Sequence, residues 1–354
     1  MILSPAPSDP LLPPLQLFLE LTTRCNLRCR HCYIRAGEGE ARDLPASDVQ
    51  GLLGEFQAMG GEFVSFSGGE PTLYGEWRPV MRYARYLGLE AMLVTNGVAL
   101  SEGDIGFLDE IGASIAVSLD GASACVHDAI RGRGSFERTG RTLERLGAAG
   151  LGERVTLCFT PSAANCADLP GVVRLAADLG LGTVYVSLLE RRGRAGDVIE
   201  QLSLGPAERR ALIFAMASLQ ERYPEIALEC LNLRYFTERL RGYAISGDSL
   251  DRTLRVTAEG ALVLTAYLDD EPFQLGPYAP GMLDRLWWGD KVRAAFAAAD
   301  QRVQTVAECQ DCMAWPWCQG GSAAFAWTAH GRFDAVDGFC AAKRDVLREM
   351  AGGW

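Results

Sequence analysis

The sequence predicts an α/β chain: a partial barrel of six strand–helix units completed by a cysteine-rich C-terminal region. Three observations predict it. Short apolar runs alternate with helical patterns from residue 15 to about 200. Seven of the eleven cysteines fall into two clusters, Cys25, Cys29 and Cys32 near the start and Cys309, Cys312, Cys318 and Cys340 near the end. The 354 residues are 48% apolar and 22% charged, which suffices for a full core and is too apolar for a disordered chain.

The strands expected are Leu17–Leu21, Glu62–Phe66, Ala91–Val94, Ser114–Leu119, Val155–Thr160 and Thr183–Leu189. They are short and mostly apolar, as parallel strands covered on both faces should be. Helical patterns lie between them, at Ser47–Met59, Glu76–Leu87, Phe136–Leu146 and Leu169–Leu179, and glycines such as Gly60, Gly88 and Gly180 stop them. Alternation of this kind implies right-handed crossovers, with chemistry at the carboxyl ends of the strands. After Arg194 the alternation is expected to stop. A helix over Pro206–Glu221, a further element over Glu229–Tyr243, a hairpin of Thr253–Thr257 and Ala261–Leu264, and a closing helix over Ala341–Met350 follow. Glu308 to Cys340 shows little periodicity and should depend on a metal site for order. The division expected is residues 1–14 as an exposed proline-rich tail, 15–200 as barrel, 201–252 as helical connector and 253–354 as the cysteine-rich domain.

Residues 1–14 carry five prolines and no basic residue, so no secretory signal is expected. No run of 18 uncharged apolar residues exists, so no membrane span is expected either. The net charge of −11 argues against gripping a phosphate backbone, so nucleic acid is not an expected partner. Clustered cysteines in a chain without a signal point to a cytoplasmic protein and to metal ligation, not disulfides.

Cys25-x3-Cys29-x2-Cys32 follows the first strand directly. Thiolates are soft ligands for iron–sulfur clusters or zinc. Three cysteines leave one position of a four-iron cube open, and an open position is where a cofactor or substrate binds. A zinc site completed by His31 is the plainer alternative. The run Cys-Asn-Leu-Arg-Cys-Arg-His-Cys resembles the CxxxCxΦC loop of the radical S-adenosylmethionine (SAM) superfamily, with His31 at the Φ position. The resemblance implies a TIM-like partial barrel and a [4Fe–4S] cluster that chelates SAM and cleaves it to a 5′-deoxyadenosyl radical. It also implies a reductant such as flavodoxin or ferredoxin.

Later segments resemble that family's SAM contacts. Ser67-Gly68-Gly69-Glu70-Pro71 is similar to its GGE motif, with Gly68 and Gly69 allowing close backbone approach and Glu70 taking the ammonium group. Thr95, Asn96, Ser118 and Asp120 end the third and fourth strands where relatives bind ribose and methionine groups. Turn chemistry before a glycine is the alternative for Asn96 and Asp120. Arg131 lies where relatives place a carboxylate-binding arginine.

The second cluster, Cys309-x2-Cys312-x5-Cys318 with Cys340, supplies enough thiolates to close a site. It resembles the SPASM extension of one radical SAM branch, reduced to one auxiliary [4Fe–4S] cluster, because Thr265 and Ser322 stand where that extension has cysteines. With the first cluster this makes two [4Fe–4S] clusters. A structural zinc knot is the alternative. Most of Trp287, Trp288, Trp315, Trp317 and Trp327 are expected around this site.

Cys125, Cys158 and Cys166 read as small core residues. Cys230 is a candidate for returning a hydrogen atom to a product radical, against the usual buried inert thiol. Tyr267, Asp269 and Asp270 follow the hairpin near where SPASM relatives place a catalytic base, and a solvated acidic loop is the alternative. His127 and His330 have no expected role. The resemblance implies hydrogen abstraction followed by oxidation or crosslinking of a ribosomally made peptide, with a separate peptide-recognition protein as a possible partner. The alternative substrates are sugar, aminocyclitol or nucleoside intermediates. A non-catalytic metal-binding protein is the third reading.

Overall fold

A computed structural model describes residues 11–230, 233, 236, 250–318 and 320–350. One continuous sheet organises them, in the order β10-β9-β8-β1-β2-β3-β4-β5-β6-β7. The six expected strands are β1 (Gln16–Glu20), β2 (Phe63–Ser67), β3 (Glu90–Thr95), β4 (Ser114–Ser118), β5 (Val155–Phe159) and β6 (Thr183–Val186), each parallel to the next. The crossovers contain α1 (Ala46–Ala58), α2 (Trp77–Tyr86), α3 (Glu102–Glu110), α4 (Ala124–Arg131), α5 (Ser135–Ala148) and α6 (Leu169–Asp178).

The alternation does not stop after Arg194. The helix Pro206–Arg222 leads to β7 (Ala227–Glu229), which pairs parallel with β6 as a further strand–helix unit. Three residues are too few for periodicity to reveal a strand. The element expected over Glu229–Tyr243 lies largely outside the described residues.

The hairpin is present as β8 (Thr253–Val256) and β9 (Ala261–Leu264), with β10 (Gln274–Pro277) antiparallel beyond it. β8 pairs parallel with β1, Phe18 opposite Arg255. The cysteine-rich region is therefore rooted in the barrel's own sheet. The helices α3, α4, Asp290–Thr305 and Ala323–His330 were not delimited from the sequence. Asp290–Thr305 is rich in alanine, which blurs the apolar stripe, yet Val292, Phe296 and Ala299 are buried at helical spacing. In α3, Gly103 and Gly106 weaken the pattern, but Ser101 and Asp104 form a capping box.

Strand residues alternate between two faces. Leu17, Leu19, Val64, Phe66, Leu93, Ile115, Val117, Leu157 and Val184 are buried in the main core, where α1 adds Val49, Leu52, Leu53 and Phe56. The register places Gln16, Glu20, Ser65, Ser118, Cys158, Tyr185 and Arg255 on the opposite face. That face is the barrel interior, where these polar groups stand beside Phe18, Met92, Val94 and Ala116.

Residues 11–14 are anchored. Trp287 is fully buried and donates from Nε1 to the Leu12 carbonyl at 2.9 Å, and Arg252 donates to the Pro13 carbonyl at 3.0 Å. Cys125, expected in the core, is exposed, while Cys158 and Cys166 are half-buried. Among the described residues no helix is long and apolar enough to cross a membrane.

Glu55 on α1 fastens the C-terminal region to the barrel. Its carboxylate accepts from Tyr278 Oη at 2.8 Å and from the backbone N–H groups of Gly281 and Leu283 at 2.7 and 2.9 Å. Glu55→Ala leaves three donors without this acceptor and is expected to destabilise the protein by about 2 kcal/mol, measured by chemical denaturation.

Candidate active site

The cysteine loop leaves the carboxyl end of β1 without regular structure, so its neighbours shape it. The Gly69 N–H donates to the Thr22 carbonyl at 2.7 Å and the Glu70 N–H to the Arg24 carbonyl at 2.8 Å. A Cβ at Gly69 would sit 2.1 Å from the Arg24 carbonyl oxygen, and one at Gly68 2.5 Å from that of Thr22. The two glycines thus allow one loop to approach the other this closely. Behind the loop, Arg194 donates from its backbone to the Cys32 carbonyl at 2.8 Å. Its guanidinium donates to the carbonyls of Cys29 at 2.9 Å and Ala36 at 3.0 Å. Sequence reasoning missed Arg194, because its role depends on a contact across 165 residues.

Donors surround the sulfurs. Cys32 Sγ accepts from the Ala36 N–H at 3.3 Å and Cys25 Sγ from the Leu27 N–H at 3.5 Å. Asn96 Nδ2 lies 3.9 Å from Cys25 Sγ, and Arg131 Nη1 lies 3.9 Å from Cys29 Sγ. Burial pushes the Cys25 thiol up to about 11. Cluster or metal binding at such thiols displaces their protons.

Glu70 was expected to receive an ammonium group. It is 1% exposed, and its carboxylate is engaged by the protein. Oε1 accepts from the hydroxyls of Thr95 and Thr72, both at 2.7 Å, and Oε2 from the Asn96 N–H at 2.8 Å. Burial raises its pKa, with the Asn96 and Thr72 hydrogen bonds opposing. Glu70 therefore ties the end of β3 to the loop after β2. Asn96 passes the connection on, donating from Nδ2 to Asn26 Oδ1 at 2.7 Å inside the cysteine loop.

The fourth strand end is built around Asp120, which is fully buried. Its Oδ2 meets His31 Nε2 at 2.6 Å and accepts from Arg131 Nε at 2.5 Å. Its Oδ1 accepts from the Thr160 N–H at 2.8 Å. Burial alone would raise its pKa, but Arg131 and His31 hold it well below the usual carboxylate range. Arg131 thus spends part of its fork on Asp120. Ser118 ends β4, half-buried. His127, given no role from sequence, is fully buried and accepts the Asp120 N–H at Nδ1, 3.1 Å away. Two buried ring nitrogens, His31 Nδ1 and His127 Nε2, have no partner among the described residues.

The candidate bases stand differently from expectation. Asp269 is ion-paired with both Arg192 and Arg255, so it is the hub of a charge network, not a free base. Asp270 accepts from Trp327 Nε1 at 2.6 Å in an exposed position. Tyr267 meets Tyr185 Oη at 3.0 Å, and burial holds its phenol well above the ordinary range. Glu20, also missed, is 2% exposed beside Arg255 Nη1 at 3.2 Å, and burial raises its pKa. Its signal was a lone carboxylate in an apolar strand. Cys230 is buried just past β7, electrostatically coupled to Tyr185.

Cys309, Cys312, Cys318 and Cys340 line one small pocket together with Trp315 and Lys343. Four thiols lining one space are the donor set of a four-thiolate centre, and among the described residues no three such side chains stand placed for a single metal ion. Burial pushes Cys309 and Cys340 up to about 11. Of the five tryptophans expected here, only Trp315 lines this cavity; Trp287 packs on Phe296 and Trp327 on Phe273 and Phe333. At the positions where the resemblance places further cysteines, Thr265 is buried at φ +70°. Ser322 caps the helix Ala323–His330.

Residues 19–161 match the family model of the radical SAM superfamily. The chain carries a radical SAM domain. It is 33% identical over 218 residues to mycofactocin maturase MftC of Mycobacterium ulcerans (strain Agy99), covering 59% of this chain and 56% of that protein. The chain spans about half the length of the curated relatives it matches. In fold it is similar to native anSMEcpe with bound AdoMet, at a TM-score of 0.76 and 16% identity over 96% of this chain and 98% of that one. It is also similar to Streptococcus suis SuiB bound to precursor peptide SuiA, at 0.70 and 16%, over 93% and 76%.

Two predictions concern the radical SAM domain. Arg194→Ala releases two carbonyl contacts of the cysteine loop, those to Cys29 and Ala36. It is expected to lower iron retained by the first cysteine cluster at least severalfold after anaerobic reconstitution, while Cys309, Cys312, Cys318 and Cys340 keep theirs. The second concerns pH. Burial, aided by Arg131, lowers His127 to about 4. The unfolded chain, with an imidazole near ~6.5, then binds more protons than the folded one between those values. Stability is present above about pH 6.5 and lost as pH falls toward about 4, by on the order of 3 kcal/mol. His127→Asn, which keeps an acceptor and does not titrate, is expected to flatten that slope in denaturation curves taken across the window.

Proposed function

We propose that this chain is a radical SAM enzyme that matures a ribosomally synthesised peptide, abstracting a substrate hydrogen and then oxidising or crosslinking the peptide. The observation that carries the reading is the three-cysteine loop, held by donors on all sides and embedded in the matched radical SAM domain. The residues fit the group: three sulfurs on one loop, N–H donors toward two of them, and a buried guanidinium beside the third. A [4Fe–4S] cluster bound by Cys25, Cys29 and Cys32 would supply the electron that cleaves SAM to a 5′-deoxyadenosyl radical.

The chain's own residues supply placement. Glu70, Thr95 and Asn96 fix the loops that face the open side of the cysteine loop. Asp120 sets the orientation of His31 and Arg131, whose remaining N–H groups are available to a carboxylate. His31 Nδ1 and His127 Nε2 are buried polar atoms that a bound ligand or water would satisfy. The polar groups of the interior, Glu20, Arg255 and Tyr185, suit a substrate with hydrogen-bonding groups. The peptide reading is supported by the similarity to the mycofactocin maturase and by the fold shared with SuiB bound to its precursor peptide. Cys309, Cys312, Cys318 and Cys340 would hold a second, fully ligated [4Fe–4S] cluster. A flavodoxin or ferredoxin would deliver electrons, and a separate protein would present the peptide.

Anaerobic reconstitution is expected to give about eight iron per chain. Dithionite and SAM are expected to yield 5′-deoxyadenosine, and Cys29→Ala to yield none above background. A precursor peptide encoded beside the gene should lose hydrogen mass or gain a crosslink by mass spectrometry. An unchanged peptide alongside SAM cleavage overturns the peptide substrate, and no 5′-deoxyadenosine overturns the radical chemistry.

A further inference from the structure

The four-cysteine cavity has an unusual electrostatic wall. Lys343 lines it and is 1% exposed. Its Nζ donates to Asp337 Oδ2 at 2.6 Å, and Asp337 is 4% exposed. Arg302, 2% exposed, lies behind the lining residue Gly320, where an added Cβ would sit 3.0 Å from its Nη1. Among the described residues its guanidinium finds no carboxylate in hydrogen-bond reach and donates instead to three backbone carbonyls, of Gly321 at 2.9 Å, Phe333 at 3.0 Å and Ala335 at 2.8 Å. Half-buried Arg344 also lines the cavity. Buried charge around the cysteines is therefore two cations against one anion. A buried cation without a counter-charge costs several kcal/mol. An anionic four-thiolate centre offsets it.

The geometry is fixed as well as charged. Asp337 also accepts from the backbone N–H groups of Ser322 at 3.1 Å and Phe339 at 2.9 Å. A Cβ at Gly321 would lie 2.0 Å from Asp337 Oδ2 and 3.1 Å from Lys343 Nζ. Neither charge can swing away from the wall.

We infer that Lys343 and Arg302 bias the centre held by the four cysteines toward its reduced state, and that Asp337 limits that bias. The physical reason is that a thiolate-bound cluster gains negative charge on reduction, and a fixed buried cation stabilises the more negative state. Lys343 and Asp337 are positioning residues here, acting through the field and not by ligation. The inference rests on the proposed iron–sulfur reading, and the test separates the two.

Cys25, Cys29 and Cys32 are replaced by alanine so that only the second cluster remains. The reconstituted protein is titrated potentiometrically and followed by EPR. Lys343→Met is expected to shift the midpoint potential to more negative values and Asp337→Asn to more positive values, with iron content unchanged and Lys343→Arg close to the parent. A purely structural ion pair would not move the two variants in opposite directions. Unchanged potentials, or shifts of the same sign, overturn the inference. If Lys343→Met does not retain iron, Asp337→Asn decides alone: a positive shift supports the inference and none overturns it. Zinc in place of iron in the parent overturns the cofactor reading instead, and the inference with it.

Discussion

A single buried carboxylate holds the candidate site together. Asp120 receives His31 from the cysteine loop, Arg131 from the end of α4, and the backbone of Thr160 from the end of β5. His127 and Asn165 grip its own backbone, Asn165 donating to its carbonyl at 3.0 Å. Opposite charges in a dry interior attract strongly, and removing one partner of a buried pair is destabilising by about 3–5 kcal/mol. Three strand ends are thereby locked in one arrangement around a loop that has no regular structure of its own.

The cysteine loop takes its shape from that lock and from two others. Glu70 closes the side toward β3, and Arg194 closes the back by occupying the loop's own carbonyls. Asp120 and Glu70 are buried polar groups whose partners are supplied by the fold, which is the condition under which such groups rigidify a site, and half-buried Arg194 adds to them. The order of the loop therefore does not depend on ligation alone.

The same principle joins the C-terminal region to the barrel. β8 extends the sheet beside β1, and the network of Glu20, Arg255, Asp269, Arg192 and Glu190 crosses the interior between β1, β8 and the segment after β6. Arg192 lies over the Tyr33 ring, next to Cys32. Of the two acidic residues after β9, Asp269 is drawn into this seam and serves as a tie between elements. Packing and charge reach continuously from the first cysteine loop to the region that carries the second.

Cysteine spacing, the glycine-rich turn after β2 and the strand–helix alternation were local features, so the sequence alone determined the radical SAM domain, both thiol clusters and six strands of the sheet. A spacing of three and two residues on one loop needs no tertiary information to bring sulfurs together. The side-chain partners did. Glu70 turning to Thr95 and Asn96, Arg194 reaching back to Cys29, β7 hidden in three residues and Asp269 captured by Arg192 and Arg255 all depend on contacts between segments far apart in the chain. Which face of a strand is polar was written in its alternation, but which polar groups satisfy one another was decided only when the strands closed around a dry interior. There a carboxylate settles by the charges it finds, not by the motif it belongs to.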